Sequence, residues 1–431
     1  MMKPQAFVRP AILLALCVAS AFAQPAPASL TLDECVRLAE AAQSVVTIAR
    51  HQAEIARYAR VQATANFLPQ ASVGNFFIYN SPTRVPSNPD PFSFVSLNGV
   101  HEYSTLGSVG LELDTSGRLR AQLARAKADQ DAAAAGIVLS QRDVRRAVAA
   151  SFYRLALARK LIQVAKDNLA EAQSFEQRNR LLVEHQEAAR ADLVKASAQV
   201  AFFEQAVNAV ELEAKLANHE LASFWTQDVE APVAITDALE GPLPLPEASP
   251  PAASPFLGRP EFRLFDAQRR GFLADARRAR ADLFPQLNLI QQYGIDATRF
   301  SFADRGYATF VHLNVPVFDW FRARSASRQF TLEAAQADTN RQIAERTFSK
   351  EYRDALARVD LVYSQIAIAE RQVKLSEDNL RLSGVRYEGG EGTALDVVAA
   401  QSQLAQARAN YFTAKASYLN ARVDLEVAEG R

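Results

Sequence analysis

Two short segments decide how this chain is organised: residues 184–194 read EHQEAARADLV, and residues 388–398 read EGGEGTALDVV. An offset of 204 (388 minus 184) aligns them, and the same offset carries Arg118 onto Arg322. In both copies, 74 residues therefore separate this arginine from the aspartate of the segment. An interval preserved over such a length predicts two structural repeats whose central elements match in length.

Each repeat is predicted to contain a long antiparallel helical hairpin. The long helices, 118–183 and 322–383, contain no proline, and at about 1.5 Å per residue each would extend for close to 100 Å. Return helices are predicted at 189–226 and 393–429. Apolar and small positions in the long helices alternate steps of four and three, which is typical of a coiled-coil seam. In the first copy they are Val144, Val148, Ser151, Leu155, Ala158, Ile162, Ala165, Leu169 and Ala172.

The segments before the long helices have a period of two and are predicted to be β-strands. Two are clear, at 103–114 and 306–317, and two are fainter, at about 70–80 and 286–296. One such segment alone is more often the edge of a soluble sheet. Four of them, about ten residues each with one apolar and one polar face, are typical of an outer-membrane barrel.

The ends of the repeats complete the predicted organisation. Residues 1–23 have the charge and apolar run of a signal peptide, with a rival lipoprotein interpretation that would place lipid on Cys17. Repeat 1 then spans 24–227 and begins with an N-terminal helix. A proline-rich linker follows at 228–255. Repeat 2 spans 256–431 and begins with a helix at about 260–283.

The composition argues against several classes of function. The 48 basic residues balance 48 acidic ones, so there is no concentrated positive charge for nucleic acid. Two cysteines and five dispersed histidines give no metal-ligand spacing, and no nucleophile–base set is present. We therefore predict no catalytic residues, no cofactor and no metal site.

Four strands are too few to seal a membrane barrel, because the smallest known barrels need about eight. Open sheet edges are not tolerated in lipid, so several copies must share one barrel. Three copies would supply twelve strands and a ring of helices around an aqueous lumen. The predicted fold class is mainly α with membrane β.

The sequence resembles the TolC-like outer membrane efflux protein family over essentially the whole mature chain. The resemblance rests on the ordered motifs LDECV (32–36), FLPQ (67–70), RPE (259–261), LFPQ (283–286), VPVFD (315–319) and YEGGEGT (387–393). It implies a homotrimer with a twelve-stranded barrel in the lipid of a Gram-negative-type outer membrane and an α-helical tunnel in the periplasm. It also implies two partners, a periplasmic adaptor (membrane fusion protein) and an inner-membrane pump of the RND, ABC or MFS type.

The resemblance also suggests site residues at the helical turns. Asp396, Asp192 and Tyr387 are candidates for a gate at the periplasmic end, although a carboxylate early in a helix can instead stabilise the helix dipole. Phe318, Trp320 and Phe321 are expected at a membrane–water boundary. Candidates for adaptor contact are the turn residues Glu184, Glu187, Glu388, Gly389, Gly390, Glu391 and Gly392.

These observations favour an outer-membrane exit duct that conducts substrates passively. The main alternative is a periplasmic coiled-coil adaptor or scaffold of an export system. An adaptor should have one hairpin within β-rich domains, whereas this sequence predicts two hairpins at equal spacing. A periplasmic enzyme is the weakest alternative, because no catalytic constellation is present.

Overall fold

The chain is described by a computed structural model over four ranges: 29–83, 92–93, 100–246 and 254–431. The predicted signal peptide, with Cys17, lies outside the described residues, as does part of the linker at 247–253. Seven α-helices lie within the described ranges: α1 (Leu32–Ala41), α2 (Val45–Ala65), α3 (Arg118–Glu184), α4 (Arg190–Ala222), α5 (Pro260–Ala281), α6 (Arg322–Glu388) and α7 (Ala394–Glu429).

The strands of the described residues form two antiparallel sheets. The larger has the order β1-β4-β5-β6, and the smaller pairs β2 with β3 in the segment between β1 and β4. The strands are β1 (Gln70–Tyr79), β2 (Pro82–Thr83), β3 (Phe92–Ser93), β4 (His101–Leu113), β5 (Gln286–Ala297) and β6 (Arg305–Asn314). Short 3-10 turns lie at Pro255–Gly258 and Phe302–Asp304.

The two long helices match residue for residue. Both α3 and α6 contain 67 residues, and the offset of 204 relates their first and last residues. The seam positions of both helices are buried or half-buried, with Val148 and Leu155 almost fully enclosed. The coiled-coil pattern therefore marked the face along which the helices pack.

Several predicted boundaries differ from the observed ones. The helix predicted at 322–383 continues to Glu388, because the single glycine there, Gly384, costs a helix only about 1 kcal/mol. The return helix predicted to reach 226 ends at Ala222. The strand predicted at 306–317 ends at Asn314, shortly before Pro316, which has no N–H to donate to a ladder.

The predicted N-terminal helix is two helices. The N-cap of α1 is Thr31, whose side chain forms a capping box with Glu34. The helix ends at Ala41, and the carbonyl of the next residue, Ala42, accepts a hydrogen bond of 2.9 Å from the hydroxyl of Thr47 in α2. Both helices pack against α3.

The described part of the linker is packed rather than free. Val233 and Leu239 are buried in a cluster with Phe152 of α3 and Leu221 of α4. Lys415 of α7 is also buried there, and its ammonium donates to the carbonyl of Leu239. Burial therefore lowers the pKa of this lysine, because the charged form is desolvated. The linker fastens the return helix of repeat 2 to the hairpin of repeat 1.

The four-stranded sheet has one mainly apolar face. Strand register places residues of the same parity in rows across the sheet, for example Leu111 beside Leu289 beside Val311. The opposite face carries rows such as Ser108 beside Gln292. Within the described residues, no helix is both long enough and apolar enough to cross a bilayer.

Candidate functional site

The two hairpin turns share one backbone design. In repeat 1 the N–H of Glu187 donates to the carbonyl of Leu182, and in repeat 2 the N–H of Glu391 donates to the carbonyl of Arg386. The offset of 204 relates these bonds, and the flanking turn bonds match in the same way. The sequence therefore placed both turns correctly, although only repeat 2 has glycines there.

The predicted turn residues lie at the surface of this tip. Glu184 and Glu388 are the last residues of their helices rather than turn residues, and both are exposed. Glu388 pairs with Arg178 of α3 at 3.1 Å, an exposed contact worth about 1 kcal/mol or less. Four of the other turn candidates are exposed, namely Glu187, Gly389, Gly390 and Glu391. The fifth, Gly392, is half-buried.

Asp396 is exposed and forms a capping box at the start of α7. Its Oδ2 accepts hydrogen bonds from the backbone N–H of Thr393 at 2.9 Å and from the Thr393 hydroxyl at 2.8 Å. These bonds lower the pKa of the Asp396 carboxyl, the backbone bond contributing most. The carboxylate therefore stabilises the helix start and keeps its negative charge at neutral pH.

Asp192 occupies the aligned position of α4 without that cap. Ala189 stands where repeat 2 has the capping threonine, so no side chain caps α4. Asp192 is half-buried and pairs instead with Lys195 at 3.2 Å. The two aspartates thus share a position but differ in partners and exposure.

Tyr387 joins the two hairpins. Its hydroxyl donates to the Oδ1 of Asn179 on α3, and its ring meets Phe175 edge-on with centroids 5.4 Å apart. Asn179 is fully buried, and its amide also donates to the carbonyl of Phe175 at 2.9 Å. Burial raises the pKa of Tyr387, and the charge of Asp192 adds to the effect, so the hydroxyl stays protonated as a donor.

Sequence reasoning missed Asn179 as the partner of Tyr387, yet a signal was present. Continuing the seam of α3 beyond Ala172 by steps of four and three reaches residues 176 and 179. A buried asparagine at a seam position needs a hydrogen-bond partner, which is a reason to look for a polar group on the facing helix.

An open groove of about 680 Å³ lies between the ends of α3 and α6. Its walls are mainly apolar, with Arg178 and Glu388 at the rim and Val397 of α7 on the wall. Additional lining residues include Phe175, Leu181, Leu182, Leu380, Val385 and Tyr387. Among the residues that the structure describes, no group of three or more His, Cys, Asp or Glu side chains is placed to hold a metal ion.

The family model described as outer membrane efflux protein matches residues 37–226 and 257–431, which together cover most of the chain. The chain belongs to the outer membrane efflux protein family. The resemblance stated from the motifs is confirmed, and so is the mainly helical fold class. Membership of this family of channel proteins also identifies the chain as a transport protein and not an enzyme.

Three proteins are similar to this outer membrane efflux protein, one in sequence and two in fold. Nodulation protein T of Rhizobium leguminosarum bv. viciae is 26% identical over 329 residues, which cover 73% of this chain and 67% of that protein. The Campylobacter jejuni CmeC outer membrane channel superimposes with a TM-score of 0.82 at 18% identity, over 93% of this chain and 85% of that chain. The open state of the Neisseria gonorrhoeae MtrE outer membrane channel gives 0.77 at 20% identity, over 93% and 88%.

Proposed function

We propose that this protein is the outer-membrane exit duct of a tripartite efflux or secretion system and works as a homotrimer. Each copy would contribute four strands to a shared barrel in the outer membrane and its helices to a tunnel in the periplasm. The duct would conduct passively, with energy and substrate choice supplied by its partners.

The observation that carries this proposal is the four-stranded sheet with two unpaired edges. Both β1 and β6 lack a neighbour on their outer side within the described residues. Unpaired backbone groups are not tolerated in hydrocarbon, so each edge needs a partner. Because neighbouring strands alternate in direction, β6 of one copy can pair antiparallel with β1 of the next, and three copies give twelve strands.

The apolar sheet face supports a lipid environment for this barrel. Rows that include Tyr293 beside Tyr307 and Leu287 beside Leu313 cover it, and these side chains are exposed or half-buried in a single copy. Some of the few polar side chains on this face form hydrogen bonds with one another. The hydroxyl of Thr309, for example, donates to the Oε1 of Gln291 at 2.5 Å.

The hairpin tip is proposed to serve as the periplasmic aperture. Asp396 is exposed there, and three copies would present three such carboxylates to the lumen, which favours cations. Tyr387 would hold the tip closed through Asn179, with Asp192 nearby. The turn residues and the apolar groove would receive a periplasmic adaptor, which in turn would connect an inner-membrane pump.

Planar-bilayer recording tests the duct directly. We expect purified protein to insert and give stable, water-filled conductance with cation preference. Protein that stays outside the bilayer and gives no conductance would contradict the proposal and favour the adaptor or scaffold alternative. Extraction adds a second check, because a duct remains with the outer-membrane fraction through a high-salt wash.

The role of Asp396 needs a variant that separates charge from capping. Asp396→Asn removes the charge, and we expect it to weaken cation preference, whereas Thr393→Ala removes the cap and keeps the charge. Because the hydrogen bonds from Thr393 lower the carboxyl pKa, the preference should persist as pH falls to about 5. Equal preference in Asp396→Asn and the parent protein would exclude this residue from the pore.

A further inference from the structure

The two crossings from the sheet to the long helices differ in chemistry. Repeat 1 crosses with Asp114, Thr115, Ser116 and Gly117, which are polar or small. Repeat 2 crosses at the aligned positions, 318–321, with the sequence FDWF. Its three aromatic rings form one exposed cluster, with the Phe318 ring 4.8 Å from that of Trp320 and 6.1 Å from that of Phe321. Below, "the aromatic crossing" denotes Phe318, Trp320 and Phe321.

The aromatic crossing is held in an unfavourable backbone conformation. Trp320 and Phe321 have φ angles of 55° and 62°, in the left-handed region that bulky residues rarely adopt. Repeat 1 has glycine at the second of these positions, Gly117, with φ at 81°. Trp320 is nonetheless 84% exposed, so packing within one copy does not account for the aromatic residue. Strain of this kind points to a function outside the single chain.

In repeat 1 the charges of the crossing are neutralised. Arg118 at the start of α3 pairs with Glu112 at 2.5 Å, and Arg120 pairs with Asp114 at 2.8 Å. Both carboxylates lie on the sheet side of the crossing. Each of these two arginines of the repeat-1 crossing is therefore paired with a carboxylate.

In repeat 2 the positions aligned with those two carboxylates hold no acid. Arg322 and Arg324 correspond to the paired arginines of repeat 1, but Pro316 and Phe318 stand where the two acids were. Arg322, Arg324 and Arg328 are exposed, and no ion pair or side-chain hydrogen bond joins their guanidinium groups to the residues that the structure describes. An unpaired basic group lies directly beside the aromatic crossing.

Arg324 and Arg328 are one helical turn apart and line the same shallow surface, together with Ser325, Gln329 and one acid, Glu333, whose carboxylate accepts a hydrogen bond of 3.0 Å from the amide of Gln329. Like charges at this spacing repel each other, so an anion between them would relieve the repulsion. The nearest acid of the crossing, Asp319, already accepts a hydrogen bond of 2.8 Å from the backbone N–H of Ala323. The two arginines outnumber the single carboxylate that lines this surface, so its net positive charge would attract an external anion.

A neighbouring copy does not supply that group in the proposed assembly. There, α6 and β6 run beside α2 and β1 of the next copy. Residues 55–69, which form the end of α2 and the approach to β1, contain no Asp or Glu. They contain two arginines instead, Arg57 and Arg60.

The apolar face of the sheet leads straight to this surface. Val311 and Leu313 lie on that face in β6, and the alternation continues through Val315 and Val317, which is 93% exposed. An apolar band, then aromatic rings, then unpaired arginines is the order of chemistry met on leaving a bilayer through its headgroups.

We propose that the aromatic crossing and Arg324 with Arg328 form a binding site for an anionic phospholipid in the periplasmic leaflet of the outer membrane. The rings lie among the upper acyl chains and glycerol groups, and the guanidinium groups bind the phosphate. The site rests on the proposed function, since it needs the sheet in a membrane. It occurs once per chain, because repeat 1 lacks both the rings and the free charges.

The chain provides its own reporter for a test. Its two tryptophans are Trp225 and Trp320, so a Trp225→Phe variant leaves only the residue of the aromatic crossing. Full-length protein of this background is reconstituted in phosphatidylcholine vesicles. Fluorescence quenching is then measured with equal fractions of brominated phosphatidylcholine or brominated phosphatidylglycerol.

We expect both lipids to quench Trp320, with the anionic lipid preferred roughly tenfold. Arg324→Gln with Arg328→Gln should abolish the preference. Arg353→Gln with Arg358→Gln is the matched control, because it removes two exposed arginines of the same helix roughly 40 Å or more away. The control should keep the full preference.

The possible failures are distinguishable. Equal quenching by the two lipids, or a preference that survives Arg324→Gln with Arg328→Gln, overturns the lipid site while the duct remains. Loss of the preference for the anionic lipid on addition of inorganic phosphate also overturns it, since the site would then bind free phosphate and not a lipid headgroup. Protein that does not float with vesicles at all contradicts the proposed function itself and the site with it.

Discussion

The two repeats share two left-handed positions, one at the crossing and one at the hairpin turn, but distribute their glycines between them in opposite ways. At the crossing, repeat 1 has Gly117 and repeat 2 has Phe321. At the hairpin turn, repeat 1 has Gln186 with φ at 64°, and repeat 2 has Gly390 with φ at 73°. Each repeat thus has a glycine at one end and a less favourable residue at the other.

This reciprocity shows that hairpin geometry, and not glycine, dictates the backbone. A helix of 67 residues must begin and end at fixed points, so the chain adopts the left-handed conformation whichever residue is present. What the residue then contributes is its side chain. Repeat 2 has an aromatic group at the sheet end, and repeat 1 has a polar one at the hairpin tip.

The largest effect is expected where a glycine is replaced by a β-branched residue. Gly117→Val should lower the free energy of unfolding by about 2–3 kcal/mol, because valine strongly disfavours positive φ. Space is not the cause, since a Cβ at Gly117 would meet only the Arg120 guanidinium at 3.8 Å. Denaturant midpoints of the refolded protein in detergent measure the change.

A matched control separates this cost from the loss of any glycine. Gly136 lies inside α3 with no atom near its Cβ position, so Gly136→Ala should raise stability by up to about 1 kcal/mol. If Gly117→Val were as stable as the parent protein, the crossing would have another accessible backbone.

The next effect concerns the tip, where Tyr387 occupies the position that aligns with Val183 of repeat 1. Tyr387→Phe should cost about 1–2 kcal/mol, because the buried Oδ1 of Asn179 loses its donor. Under the proposed function, it should also raise the open fraction in single-channel records. Tyr58→Phe, at an exposed ring, is the control and should change neither quantity.

The pH dependence of this contact has a defined sign. Burial raises the pKa of Tyr387 above that of the unfolded chain, so its contribution is complete below the unfolded pKa of about 10 and declines as pH rises through the folded value. The difference between Tyr387→Phe and the parent should therefore be constant across neutral pH. A difference that varied between about pH 6 and 8 would mean that another titrating group contributes to this contact.

A smaller effect tests the strain at the aromatic crossing. Phe321→Gly should be about 1 kcal/mol more stable than Phe321→Ala, because both remove the ring and only glycine relieves the positive φ. Thermal midpoints in detergent compare the two variants. Equal midpoints would mean that the left-handed backbone at this position carries no strain.

The smallest effect transfers the cap of one repeat to the other. Ala189→Thr would place threonine three residues before Asp192, as Thr393 precedes Asp396, and should stabilise the protein by about 0.5 kcal/mol. Loss of the pair between Asp192 and Lys195 offsets little of this gain, since that pair is partly exposed. A lower midpoint for Ala189→Thr would mean that Asp192 has a stronger role where it stands.

Much of the fold could be predicted because its signals are periodic. The 74-residue interval located both hairpins, and the alternation in the strands anticipated a sheet with one mainly apolar face. The break between α1 and α2 and the packed linker were missed, because buried contacts of Leu239 and Lys415 depend on tertiary structure. The left-handed backbone conformation of Phe321 was missed because the sequence has no glycine at that position to indicate it.

For the candidate site, the positions of the residues along the chain were easier to predict than the side chains that they contact. The aligned motifs located Asp192, Tyr387 and Asp396 at the turns, where the structure has them. Which side chains they contact follows from how the hairpins are arranged side by side, and sequence spacing within one repeat does not contain that information.

The central claim is that one copy has too few strands and shares a barrel with others. Native mass spectrometry of the detergent-solubilised protein, with disulfide trapping between cysteines introduced in β1 and β6, tests it most directly. We expect three copies per particle, with every trapped bond joining different copies. A monodisperse single copy, with β1 and β6 trapped only within one chain, would contradict it.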